Sequence, residues 1–542
     1  MPIFRRTIAY AAAAAMVVTA LFSLSSCRDS GDDTKKGTNY FFTTVIEGSP
    51  VTLDPQTCSG DNAAQIIANV FRGLYRISDG GTPVPAMAES VSVSDDGLVY
   101  TFGLSDNVMW YGKDGFSAEC TADDFVFAFR RLFDPSLRSG RAAEYYCIKN
   151  AEAYHTGKIT DPDEIGVKAS GKHELTITLS EPRTDIEALL AAAPAMPCSR
   201  EYYELTEGQY GLVGDCVGSN GAFYVSRWHY DKWVKDGNFI ELRRNSLNEE
   251  ALGTAPRGVT FMINADGYEN FTAGTTDILR TADPDAVFRL SGKYECDTYS
   301  DAVWGVLFNN SGVFASTDLR IALGGLANSG SEGDTYTPAN CIIPADTLIG
   351  DSVYRSSAGY PTRVQYSEDE LLERGERAMR QLEEGALSGM KLIMPEHTAL
   401  RQVVGGMIGQ WQKSFGIYCM TDELTAADYT SALSAGRFDA AMVRLSGNGA
   451  VSYLSDFTEN SVKNYGGVSS RKLDDIIKSA LTAKDDSSAA VYCLEAEQLV
   501  LDNGWFAPLC FEKEYIFRAS GVSGVEYDPT CGGFIFAGAL KK

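Results

Sequence analysis

Histidine is scarce in this chain. There are four in 542 residues, His155, His173, His229 and His397, and each stands alone. No Cys-x-x-Cys occurs and no histidine has a spaced cysteine set beside it, so a zinc-type centre lacks its ligands and no metal is expected. The usual catalytic signatures are missing too: no H-E-x-x-H, no G-x-S-x-G, no G-x-x-x-x-G-K-[ST] and no G-x-G-x-x-G. Carboxylates abound, but their spacing selects no acid pair. No motif therefore points to an enzyme or to a bound cofactor. Basic residues never cluster. Lys and Arg total 47 against 72 Asp and Glu, a net charge of −25, which disfavours nucleic acid and anionic membrane surfaces as partners. After Phe22 no apolar run is long enough to cross a bilayer.

What is present first is an export signal. Arg5 and Arg6 precede a short apolar run from Ala11 to Phe22. Leu24-Ser25-Ser26-Cys27 resembles a bacterial lipobox. Residues 1–26 are read as a lipoprotein signal peptide and Cys27 as the lipidated residue. Residues 27–38 are polar and without periodicity, a flexible tether. Extended, Arg28 to Thr38 reaches about 35–40 Å. Apart from Cys27, eleven cysteines remain. An odd number leaves at least one thiol outside any disulfide, and buried thiols acting as small apolar groups fit the scatter.

The globular part reads as α/β. Tyr40 to Ile46 is β-branched and aromatic, a first strand. Asn62 to Leu74 has Ile66, Val70 and Leu74 on one stripe, a helix. Leu98–Leu104 is a β-rich run after the turn Asp95-Asp96-Gly97. Thr121 with Asp124 makes a capping box, and Phe125, Phe129 and Leu132 mark a helix face that stops before Pro135. Ser367 with Glu370 repeats the capping signal. Lys391 to Cys419 reads strand–helix–strand, with Gly416 ending the helix, and implies a parallel crossover. Two further helices are expected around Leu473–Thr482 and Ser488–Asp502.

The order of several motifs carries a resemblance. Ala88-Glu89-Ser90, Asp96-Gly97, Tyr100-Thr101-Phe102, Trp110, Gly112 and Thr121-Ala122-x-Asp124-x-Val126-Phe127-x-Phe129 resemble the signature of extracytoplasmic solute-binding proteins of ABC importers. The likeness is to family 5, the large peptide and nickel type, nearest its oligopeptide binders. Leu53-Asp54-Pro55, Gly73-Leu74-Tyr75, Gly274-Thr275-Thr276-Asp277-Ile278, Thr317-Asp318-Leu319-Arg320-x-Ala322 and Gly436-Arg437-Phe438-Asp439 are similar to further landmarks. Val91 and Ser105 depart from the pattern, standing where the family usually has Trp and Arg.

The resemblance implies a type II (cluster C) periplasmic-binding-protein-like fold, α/β, with two mixed-sheet lobes, a hinge and an extra middle domain. Lobe I would take residues 39–57, 181–281 and 505–542, the middle domain 58–180, and lobe II 282–504. It implies capture of oligopeptides between the lobes, delivery to a membrane permease with its ATPase, a lipid anchor on Cys27 and a monomer outside the cytoplasm. The same fold binding a nickel chelate, haem or oligosaccharide, or a surface lipoprotein sensing peptides without transport, stays open. By alignment the ligand would meet Ser49, Pro50, Val51, Arg280, Thr281, Trp304, Arg444, Ser446, Asn448, Tyr453 and Phe511. Trp110, Trp228, Trp233, Trp411 and Trp505 read as core or landmark residues.

One departure bears on the ligand. Tyr453-Leu454 fits the family's aromatic-Leu pair. Counting back puts Ser446 at the position of the amine-binding Asp, Ala450 at a Pro and Val443 at a Trp. Ser cannot offset a buried ammonium, and Arg444 beside it favours an anionic or carbonyl-rich group. Either the ligand is not held by a free amino terminus, or another acid such as Asp456 takes that place.

Overall fold

The computed structural model describes residues 40–542, apart from 80, 235, 249–252, 255, 328–335, 351, 363–365, 397, 448 and 462. Cys27 and Asn448 lie outside the described residues. Phe41–Ile46 alternates half-buried and buried side chains, and pairs in parallel with Gly258–Ile263. Phe239–Arg244 and then Phe223–His229 complete a four-stranded sheet by antiparallel pairing. A second four-stranded sheet, antiparallel throughout, runs Ala88–Val93, Val99–Leu104, Glu174–Thr178, Val167–Gly171. The turn before Val99 needs a left-handed residue and has one, Gly97 at φ 69°. Helix Ala122–Leu132 begins with the capping box that Thr121 and Asp124 predict.

Helix Asp61–Val70 is shorter than its hydrophobic stripe predicts, because Phe71 is extended. The Asn220 side chain imitates a neighbouring strand there: its Oδ1 accepts from the Arg72 N–H and its amide donates to the Arg72 carbonyl, both at 2.9 Å. Leu74 is still buried, beyond the helix. Phe42, Ile66, Phe102, Trp110, Phe125 and Phe261 belong to one continuous core. Residues 58–180 thus share their interior with the first sheet rather than enclosing one of their own.

A seven-stranded mixed sheet forms the other body. Met390–Pro395 and Cys419–Leu424 pair in parallel around helix Thr398–Phe415, the crossover the sequence predicts, and Gly416 ends the helix at φ 67°. Apolar cores cover both faces of this sheet. One includes Val303, Tyr453, Leu473 and Phe506, the other Trp304, Leu392, Trp411 and Leu509.

Two long antiparallel strands, Glu295–Phe308 and Phe506–Arg518, connect the bodies. One half of the pair, Glu295–Tyr299 with Glu514–Arg518, is flanked by Ile278–Thr281, and Ile516 enters the first core. The other half, Ala302–Phe308, is flanked by Ala440–Ser446. The chain therefore passes from one core to the other mid-strand, at an irregularity between Tyr299 and Ala302 and opposite Glu512–Glu514. The boundaries expected at 281/282 and 504/505 both precede this passage in the chain. Val287 and Leu290 still pack with Leu279 and Phe517, while Phe506 to Cys510 already belong to the second body. A strand that changes cores without a turn leaves no Gly or Pro signal at the crossing.

No disulfide joins the eleven cysteines among the described residues, and nine of them are buried.

At the crossing sit two buried acids, Glu512 and Glu514, 2% and 6% exposed. Arg444 donates from Nε to Glu512 at 2.7 Å and from Nη2 to Glu514 at 3.0 Å. Tyr527 donates to the other Glu514 oxygen at 3.0 Å, and Arg280 Nε lies 3.6 Å from it. Glu514→Ala would leave two mostly buried guanidinium groups short of a partner. The expected loss is about 2–4 kcal/mol of stability, read from the urea midpoint at unchanged slope. An unmoved midpoint would show that the network is incidental.

Candidate functional site

Charged side chains from both bodies converge where the crossing strands meet the ends of the flanking elements. From the first body come Glu47, just past Phe41–Ile46, Asp61 in the first turn of helix Asp61–Val70, Arg280 at the end of Ile278–Thr281, and Asp528. From the second come Arg444 on Ala440–Ser446, Asp456 just after the turn Ser452–Ser455, and Lys463. Asp61 touches water but lies deep among protein groups. Burial pushes its carboxyl up, against the opposing charges of Arg280, Arg444 and Lys463. Burial likewise raises Asp456, with Lys463 opposing and Glu144 adding to the rise. Asp528 is raised by burial too, though Thr530 donates to it from both backbone and hydroxyl. Asp61 of one body thus feels the charges of Arg444 and Lys463 of the other, while Asp61 and Lys463 themselves remain exposed. Among the described residues, no hydrogen bond or ion pair engages the side chains of Asp61, Asp456 or Lys463.

The arginines differ from these three. Burial works against the charge of Arg280, but Glu514 beside it overrides that and holds its pKa above the ordinary value. Its Nη1 also donates to the Gly532 carbonyl. Arg444 already carries two carboxylates, Glu512 and Glu514. Arg444, expected to favour an anionic ligand group, is thus engaged by two carboxylates of the crossing strand.

The remaining predicted contacts are scattered. Ser49 Oγ accepts from Trp228 Nε1 at 3.1 Å, Pro50 is buried and Val51 is 83% exposed. Thr281 Oγ1 accepts from the Asp283 N–H at 3.0 Å, which starts the next helix. Trp304 and Tyr453 lie in the two cores of the second body rather than at its surface. Phe511 packs half-buried against the same core as Tyr453. Ser446 ends its strand opposite Ala302, half-buried. Trp110, Trp411 and Trp505 are buried as read, Trp228 is half-buried, and Trp233 is the exception at 84% exposed.

Glu512 and Glu514 had a legible signal. They alternate with Phe511, Lys513 and Tyr515, so both point to one face of a strand whose neighbours are apolar. Asp61 and Lys463 had none, because only the folded chain brings them together.

The two bodies also touch away from the strands. The Thr184 N–H donates to the Leu481 carbonyl at 2.8 Å, at the C-terminal end of helix Arg471–Leu481. Lys478 Nζ on that helix reaches Glu181 at 2.5 Å.

The sequence profile of the bacterial extracellular solute-binding proteins, family 5 middle, matches residues 82–464. The chain is 24% identical over 506 residues to the oligopeptide-binding protein OppA of Bacillus subtilis, covering 89% of each. It is 24% identical over 527 residues to the dipeptide-binding protein of Lactococcus lactis, covering 92% of this chain and 94% of that one. The solved structure of the Escherichia coli murein tripeptide binding protein MppA superposes with a TM-score of 0.79 at 22% identity, over 93% of this chain and 99% of that one. The unliganded open form of MppA superposes less well, at 0.65 with 22% identity over 93% and 98%. The fold is therefore the α/β type II binding-protein fold, and the protein is a binder rather than an enzyme. The chain belongs to the bacterial extracellular solute-binding proteins of family 5.

Proposed function

We propose that this chain is the ligand receptor of an ABC importer for oligopeptides, held to the membrane by lipid on Cys27. The observation that carries the reading is a pair of separately cored bodies joined by two continuous strands, with charges from both brought together beside the joint. Relatives named for oligopeptides and dipeptides add support, as does the better superposition on MppA than on its open form. In this reading the bodies close on the solute about the crossing strands, as a monomer, and the closed form docks on a permease whose ATPase supplies the energy. A solute trapped there loses water from its polar groups, which the protein must replace. Asp456 is the acid placed to do so for a cation, since Ser446 carries no charge.

Native mass spectrometry of the purified protein should find short peptides bound. A non-peptide solute in their place would overturn the peptide assignment and leave the family intact. Asp456 gives a sharper test. Free peptides should bind more tightly than their N-acetylated forms, and Asp456→Asn should weaken free peptides about 10–100-fold, the equivalent of ~1.5–3 kcal/mol for a hydrogen bond to a charged group. Equal affinity of the two peptide forms for the unmodified protein would instead mean that no free amino terminus is recognised.

The pH dependence has two opposite signs. A carboxyl raised by burial favours its protonated form in the folded protein, so its share of stability is present at low pH and lost as pH rises through the folded pKa. A cationic ligand needs the ionised form. Acidifying from neutral should therefore weaken binding while the contributions of Asp61 and Asp456 to the stability of the empty protein increase. Isothermal titration and thermal melts over the same pH series, compared with Asp456→Asn, read both.

The Thr184 contact belongs to the closed state in this reading. Thr184→Pro removes its N–H and should weaken ligand binding about fivefold, ~1 kcal/mol for one hydrogen bond. Small-angle scattering should show the ligand-free variant more open. Unchanged affinity and shape would mean that the contact plays no part in closure.

A further inference from the structure

We infer that one end of the first sheet carries a membrane-resting surface, built around Trp233 and fitted to the boundary between lipid headgroups and acyl chains. The inference rests on the proposed attachment of this chain to a membrane.

Trp233 is 84% exposed, and beside it Val234 is 50% and Tyr230 45% exposed. They sit on the loop that joins Phe223–His229 to Phe239–Arg244. The described residues of that loop are tied together. Buried Asn238 accepts from the Asp231 N–H at 2.7 Å and donates to the Asp231 and Val234 carbonyls at 3.1 and 2.7 Å. Asp231 Oδ1 in turn accepts from the Trp233 N–H at 2.9 Å. One buried amide thus fixes the backbone so that the indole and Val234 point out.

Two other loops join this end of the sheet. The Trp228 indole donates to Ser49 at 3.1 Å, and the Leu53 N–H donates to the Gly211 carbonyl at 2.7 Å. Gly214 lies against the backbone of Trp228. These contacts bring in Val51 at 83%, Leu212 at 52% and Val213 at 45% exposure. Exposed apolar side chains on three loops tied to one end of the sheet call for a partner.

The chemistry selects the bilayer interface among possible partners. The exposed groups are a Trp, a Tyr and aliphatic side chains on a projecting tip, with Lys232 Nζ 4.8 Å above the Trp233 ring. Indole and phenol rings with a snorkelling lysine settle at the headgroup level. A net charge of −25 removes attraction to anionic lipid, so contact would be apolar and insensitive to salt.

Chain length permits the arrangement. Phe239 pairs with Met262, which pairs with Val45, so this loop adjoins the far end of the first strand from its entry at Phe41. That strand spans about 20 Å. From Cys27 to Tyr40 the chain extends to roughly 40–45 Å, enough to run back along the sheet and bring its far end to the bilayer.

The test holds the chain from Arg28 onward, with an amino-terminal hexahistidine tag, on phosphatidylcholine vesicles containing nickel-chelating lipid. Brominated phosphatidylcholine then quenches any tryptophan that enters the interface. Quenching is expected in the natural chain, unchanged by high salt, and lost in Trp233→Ser. Absent quenching, or equal quenching in the variant, overturns the inference. So does quenching of the natural chain that requires added permease, or a Trp233-dependent dimer in solution. The tag replaces the lipid, so failure of natural lipidation on Cys27, read separately by labelled-palmitate incorporation, leaves this result untouched.

Discussion

Glu514 stands midway along the strand that joins the two bodies, and its surroundings follow from the difficulty of keeping a carboxylate away from water. A buried charge persists only when paired and hydrogen-bonded. Glu514 is satisfied by Arg444 of one body and by Tyr527 and Arg280 of the other. The groups that neutralise it are therefore the groups that register the bodies against each other. Movement about the crossing strands must keep that cluster intact or replace each of its bonds.

The fold was legible wherever its determinants are local. Both capping boxes, the Gly97 turn and the crossover from Met390 to Leu424 arise from residues a few positions apart, and the structure forms each as the spacing predicts. The failures are nonlocal. Helix Asp61–Val70 stops early because Asn220, 148 residues beyond Arg72, claims its backbone. The passage between cores occurs within two continuous strands, at a register irregularity that no local residue pattern announces. Trp233 has a core residue's chemistry, and nothing in its neighbours reveals that Asn238 turns it outward.

The site was less legible than the fold. Alignment to a family pattern carries position along the chain but not the partners each side chain finds. Arg444 was found but not its partners, because Glu512 and Glu514 are about seventy residues away. Trp304 and Tyr453 sit at family landmarks, yet each rests in a core. The uncommitted charges, Asp61, Asp456 and Lys463, come from three separate stretches. Asp61 and Lys463 are exposed and Asp456 is half-buried, so only the folded chain reveals that they lie near one another.

The thiols have a consequence of their own. Burial raises the pKa of Cys58, Cys120, Cys147, Cys198, Cys493, Cys510 and Cys531, and a protonated, enclosed sulfur is a poor nucleophile. Cys296 alone among the described cysteines is exposed, on the crossing strand opposite Phe517. Burial also raises the Cys296 thiol, so among the described cysteines exposure rather than ready ionisation marks it as the first target for a fluorophore or spin probe on the crossing strand.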